Sequence, residues 1–240
     1  QKFDITQKET WRKAMREKWN IPADATVYGF VGRITRDKGI NELFAAYREL
    51  LRQAPDTYLM LVGNEEKPEL LDPELYAWAQ QELHVLFCGH TNVVEQHLAA
   101  MDVYLLPSYR EGTPKTVLEA MACGRPAITT DAPGCRETVT DGVNGLLVPV
   151  KDVDAIVAAM EKLLDEKKYL DVCRQYVKDH VGLLLHLCGK RAEQIKLTDE
   201  NVSLYRQIPE TEGFLESYRN EIILKLLEYY HGKNTKEIIP

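Results

Sequence analysis

Six short, continuously apolar runs, each followed by a helix-like stretch, limit the folds open to this chain more than any other feature. They are Thr26–Val31, Tyr58–Val62, Val85–Phe87, Val103–Leu106, Ala127–Thr129 and Leu146–Val148. A strand with one wet face alternates apolar and polar residues, whereas a strand covered on both faces has no need to. The runs therefore predict a parallel sheet between two helical layers, a doubly wound α/β domain. Residues 1–165 account for the whole pattern, and residues 166–240 follow it as an extended helical tail.

The helices are read from caps and periodicity. Thr6 and Glu9 form a capping box for a helix over 6–19, with Trp11, Met15 and Trp19 on its core face. Further helices are expected over Ile40–Gln53, Pro73–Leu83, Val93–Ala100, Val153–Leu164 and, as a short one, near Cys135–Thr140. In the tail, Phe214, Leu215, Tyr218, Ile222, Leu226 and Tyr229 recur at helical spacing and predict an amphipathic helix over about 211–231.

Two loops carry the chemistry. Residues 107–126 read as a loop leaving the carboxyl end of a strand and entering a helix near Pro114, with Thr113 as its cap and Gly124 beyond its end. A helix start at that edge offers N–H groups and a positive dipole end to a phosphate. Glu111 precedes the turn and Glu119 lies in the helix. Carboxylates beside a phosphate turn suit the hydroxyls of a ribose or sugar ring. The second loop, Gly32–Gly39, holds Arg33 and Lys38, two cations suited to a pyrophosphate or equally to bare solvent. No G-x-G-x-x-G follows the first strand, which weighs against an NAD enzyme.

Composition narrows the classes. A net charge of −7 without a dense basic block argues against nucleic acid as the main partner. Five cysteines, Cys88, Cys123, Cys135, Cys173 and Cys188, show no CxxC spacing and read as buried reduced thiols. The histidines lack metal-ligand spacing and no Asp-x-Asp occurs, so no metal is expected. The longest apolar run, Val181–Cys188, is too short to span a bilayer. The abrupt start at Gln1 predicts an excised piece of a longer protein.

The ordered set GRITRDKGI, LPSYREGTPKTVLEAMACGRPAITTD and GCRETVTDGVNGLLVP resembles the donor-binding half of a family 4 (group 1) glycosyltransferase, over about residues 25–165. Within that family it is most similar to bacterial transferases that act on lipid-pyrophosphate-linked sugars. The resemblance implies the C-terminal, Rossmann-like half of a GT-B fold. It implies retaining transfer from a nucleotide-sugar, UDP-linked by preference, with no metal or other cofactor. In these terms Gly32, Arg33 and Lys38 meet the diphosphate, together with the N–H groups of Gly112 and Thr113. Glu111 would hold donor-sugar hydroxyls and Glu119 the ribose, with Glu111, Arg33 and Lys38 as the catalytic set. His90, at the end of the third strand, is a candidate for the nucleotide base. Glu137 would touch the donor or cap a helix. Asp102 reads as structural, and Asp131 stays open.

Residues 1–165 would then form the nucleotide-sugar-binding domain. The acceptor-binding domain normally precedes such a domain, so the isolated chain is expected to bind donor and transfer poorly. The acceptor, a glycan or lipid-linked sugar, implies a cytoplasmic protein meeting the inner face of the membrane peripherally, although no basic amphipathic stretch demands it. Two other classes compete. One is a non-catalytic nucleotide-binding or assembly module whose tail docks a partner. The other is a sugar-nucleotide epimerase, which the paired glutamates fit poorly.

Overall fold

The computed structural model describes residues 7–165. Within them are six strands and six α-helices, alternating except that β6 follows β5 directly: α1 (Lys8–Lys18), β1 (Thr26–Val31), α2 (Ile40–Gln53), β2 (Thr57–Val62), α3 (Pro73–Gln81), β3 (Val85–Gly89), α4 (Val94–Ala100), β4 (Val103–Leu106), α5 (Lys115–Ala122), β5 (Ala127–Thr130), β6 (Gly145–Val148) and α6 (Val153–Asp165). The expected tail helix, together with Thr6, Cys173 and Cys188, lies outside the described residues.

The strands form one sheet in the order β3-β2-β1-β4-β5-β6, and every pairing is parallel. This bears out the doubly wound reading. The order reverses beside β1, so the loops leaving β1 and β4 flank the crevice where such sheets take their ligands. Side chains on the inner strands are almost fully buried, and continuous apolar runs satisfy both faces at once. Helix α2 shows the helical counterpart. Ile40, Leu43, Phe44, Tyr47 and Leu50 recur at three- and four-residue spacing, and all are buried. On one side of the sheet α2 packs with α3 and α6; elsewhere α1 packs with α4, and α4 with α5.

The end of α4 is held by a buried charge cluster. Arg16 Nε donates to Ala100 O (3.1 Å), Arg12 Nη1 donates to Ala100 O and Met101 O (both 3.2 Å), and Arg125 donates to Leu98 O (3.1 Å) and Ala99 O (2.7 Å). Three guanidinium groups thus collect the carbonyls at a helix end, where the dipole favours cations. Asp102 balances them, accepting from Arg12 (2.8 Å), Arg16 (2.7 Å) and the Val27 N–H (2.9 Å). Burial alone would raise its carboxyl. Arg12, Arg125 and Arg16, with the Val27 N–H, outweigh that and hold it below the usual carboxylate range. Asp102 is structural, as read.

Three local expectations need correction. No helix covers Cys135–Thr140; residues 133–138 form consecutive turns, with Arg136 N–H donating to Ala132 O and Thr138 N–H to Cys135 O (both 3.0 Å). Glu137 therefore caps nothing. The first helix has Gln7 as its N-cap, with no side-chain cap bond. Helix α5 starts one residue later than expected. Pro114 is its N-cap with ψ 78°, outside the helical range, so Thr113 precedes the capping position. Of the three cysteines among the described residues, Cys123 and Cys135 are buried as read and Cys88 is half-buried, all three as free thiols. Burial pushes the Cys88 and Cys123 thiols up to about 12 and raises Cys135.

Candidate active site at the sheet switch point

Loop β1–α2 and loop β4–α5 meet across the switch point through their backbones. Tyr109 N–H donates to Asp37 O (3.0 Å), and Ser108 Oγ donates to the same carbonyl (3.2 Å). A one-turn 3₁₀ helix, Arg36–Lys38, ends at Gly39 with φ 72°. A Cβ on Gly39 would collide with the Pro107 carbonyl oxygen. Glycine here both takes the left-handed turn and lets the two loops touch. The Glu111 N–H is tied in turn to Pro133 O (3.0 Å).

That contact brings together two of the residues singled out from sequence. Lys38 Nζ lies 2.6 Å from Glu111 Oε1, and the side chains are only 17% and 13% exposed. Behind them sits Tyr104, fully buried. Its hydroxyl lies 3.2 Å from Val31 O and 2.7 Å from Thr116 Oγ1, linking the end of β1 to the first turn of α5. Burial raises this phenol, and both Glu111 and Glu119 add to the rise. Glu119 lies within α5 and is half-buried. Gly112 and Thr113 stand between Glu111 and α5, at the mouth of the crevice.

Arg33 takes a different partner. Its Nη1 lies 3.0 Å from Glu66 Oε2, with both side chains about half exposed. An exposed pair of this kind contributes at most about 1 kcal/mol, so it separates readily. Arg33, Gly32 and His90 line a cavity of about 380 Å³ together with Asn64 and Thr91. Arg33 and Glu66 also line a second cavity of about 450 Å³ with Thr35, Arg36, Lys67 and Tyr109. Lys38, Glu111 and Glu119 line neither cavity. Asp131 is exposed and paired with Arg136 (3.1 Å), away from both. Glu137 Oε2 is buried without a hydrogen-bond partner. Among the described residues, no group of three His, Cys, Asp or Glu is placed to hold a metal ion. No helix among them is long and apolar enough to cross a membrane.

Comparison with known proteins places this arrangement. Residues 12–180 match the family described as glycosyl transferases group 1. The chain belongs to the group 1 glycosyltransferases. Residues 152–239 also match the N-terminal part of a family of unknown function. A Staphylococcus aureus relative, the capsular polysaccharide biosynthesis glycosyltransferase CapM, is 32% identical over 60% of this chain and 38% of its own length. A Campylobacter jejuni relative, N,N'-diacetylbacillosaminyl-diphospho-undecaprenol alpha-1,3-N-acetylgalactosaminyltransferase, is 26% identical over 74% of this chain and 42% of its own. This chain thus spans less than half the length of these curated relatives. Among solved structures, Anabaena HepE in complex with UDP and glucose superposes with a TM-score of 0.66 at 21% identity, over 85% of this chain and 54% of that one. At that identity the likeness is one of fold.

Within this glycosyltransferase domain, Glu66, Asn64 and Tyr104 escaped the sequence reading. Glu66 was legible in principle: β1 and β2 are successive parallel strands, so the loop after one runs beside the loop after the other. Tyr104 was hidden inside an apolar run. Gly39→Ala tests the loop contact. The left-handed turn costs a side chain about 1–2 kcal/mol, and the collision with Pro107 adds to it. Denaturant titration should show a loss of about 2 kcal/mol or more; a neutral substitution would mean that the loops do not need to touch.

Proposed function

We propose that this chain is the donor-binding half of a retaining glycosyltransferase that binds a UDP-sugar and works with an acceptor-binding domain. The contact between Lys38 and Glu111 carries this reading. It sets a cation suited to a diphosphate against a carboxylate suited to sugar hydroxyls, at the switch point of the sheet. A phosphate bearing two charges competes well for Lys38, which leaves Glu111 to accept hydroxyl hydrogens. Arg33, held only by an exposed pair, swings to the same diphosphate. The N–H groups of Gly112 and Thr113 add to it, and Glu119 takes the ribose. The cavity of Gly32 and His90 receives the nucleoside.

Fixed cations aimed at the leaving diphosphate stabilise the charge that develops as the sugar departs, a large term in catalysis of this kind. Arg33 and Lys38 supply that charge from the protein, and transfer is expected to proceed without a divalent metal. The Campylobacter relative is named for a lipid-linked diphosphate, which motivates a phosphate-bearing acceptor here as well. UDP is the probe of choice because HepE was solved with UDP and glucose.

Calorimetry with UDP tests the donor reading. A charge-assisted contact contributes about 1.5–3 kcal/mol, so Arg33→Ala should weaken UDP by about tenfold or more. An affinity equal to that of the unaltered protein would remove the arginine from the site.

A further inference from the structure

We propose that Gly134 is a positioning residue: having no side chain, it lets the turn after β5 support the two peptide planes that present the Gly112 and Thr113 N–H groups to the donor diphosphate. The inference deepens the donor reading above and rests on it. It starts from the collision that a side chain would cause. Gly134 takes φ 86°, in the left-handed region, and a Cβ there would overlap Glu111 O and press on Gly112 O (2.9 Å). A peptide unit is planar, so each carbonyl moves together with the N–H of the following residue. The Glu111 carbonyl shares its plane with the Gly112 N–H, and the Gly112 carbonyl shares its plane with the Thr113 N–H. Both carbonyls thus rest against Gly134, where only a hydrogen fits.

The turn beneath them is braced. Cys135 N–H and Arg136 N–H both donate to Ala132 O (3.0 Å each), and Thr138 Oγ1 donates to Cys135 O (2.7 Å). Ala132 and Cys135 are almost fully buried, so the turn has no solvent side to retreat to. A hydrogen bond from Glu111 N–H to Pro133 O (3.0 Å) draws the two segments together, and the bare Gly134 lets them close. Thr130 Oγ1 adds a bond to Ser108 O at the head of the same loop. Bulk at residue 134 is therefore relieved by displacing residues 111–113, the groups assigned above to the diphosphate and the sugar.

The test compares UDP with uridine, by calorimetry and ligand-detected NMR. Uridine carries the nucleoside without the phosphates, so its affinity reports the nucleoside cavity and the fold alone. Gly134→Ala should weaken UDP at least about tenfold, the scale of one lost charge-assisted contact, and leave uridine within about twofold. Gly124→Ala is the control for backbone strain: Gly124 has φ 73°, yet a Cβ there would meet only the flexible end of Lys8. It should lower stability and leave the advantage of UDP over uridine intact. If Gly134→Ala does not fold in plain buffer, both ligands are compared in trimethylamine N-oxide, an osmolyte that favours the folded state. Equal loss of UDP and uridine, an unchanged UDP affinity, or an equal loss in Gly124→Ala overturns the positioning role, as does failure to fold in the osmolyte. Failure of the unaltered protein to bind UDP, or to bind it more tightly than uridine, overturns the donor reading and this inference with it. Tight UDP binding that Gly134→Ala leaves untouched overturns this inference alone.

Discussion

Lys38→Met and Glu111→Gln are expected to move UDP affinity in opposite directions, although the two side chains touch. In the free protein each neutralises the other at 2.6 Å in a site that is mostly buried. Under the proposed donor reading, a diphosphate separates them before it uses Lys38. Removing the lysine takes away the cation and leaves a carboxylate facing the phosphates, two losses of the same sign. The expected effect is about 10- to 100-fold weaker UDP, from the 1.5–3 kcal/mol of a charge-assisted bond. Removing the Glu111 charge frees Lys38 in advance, so UDP should bind more tightly, by up to about tenfold. The glutamine should also erase any gain in affinity that a UDP-sugar shows over UDP, since the hydroxyl acceptor is weakened. In a transfer assay Lys38→Met should lower turnover by about 10²–10³, the scale of losing one fixed donor at a developing charge. Calorimetry on both variants decides the matter, and a shift in the same direction for both would show that the contact does not govern the diphosphate.

Asp102→Ala is expected to be the most destabilising single substitution in the described domain. It deletes the carboxylate that Arg12, Arg16 and the Val27 N–H share, and leaves buried guanidinium groups without their counter-ion. Breaking a buried pair from one side costs about 3–5 kcal/mol, which corresponds to a fall of about 10 °C in melting temperature for a domain of this size. The same carboxyl predicts a pH dependence. Its pKa is lower folded than unfolded, because the arginines outweigh burial. Its contribution is therefore complete above the ordinary aspartate value, near pH 4, and is lost as the pH falls through the lower folded value. Asp102→Asn should flatten that acid limb while remaining less stable than the parent at neutral pH. A loss under about 1 kcal/mol for Asp102→Ala would show that the arginines find other partners.

Parts of the site were legible because each signal is local. The glycine after Lys38, the loop Ser108–Thr113 and the glutamate spacing are read within a few residues. Where local rules misled, a neighbour's geometry intervened. Pro114 adopts ψ 78° and so pushes the start of α5 onto Lys115, which removes Thr113 from the capping position. The Cys135–Thr140 segment has helix-compatible residues but forms turns as far as Thr138 and no helix, with the Glu111 N–H bound to Pro133 just before it. Arg125, 2% exposed, carries no sign in the sequence that it is buried, since its partners are carbonyls of α4.

By itself the amino-acid order determined the elements, the parallel buried sheet and the residues worth watching, because apolar runs, helical periodicity and turn glycines act over distances of a few residues. Only the tertiary structure decided that β1 and β4 are neighbours. That adjacency, with the close approach of Gly39 to Pro107, sets Lys38 against Glu111. It also turned Arg33 towards Glu66 and opened two cavities where the sequence suggested one crevice. The physical reason is that strand order and long-range ion pairs are settled by packing between segments far apart in the chain, where no local pattern records which partner wins.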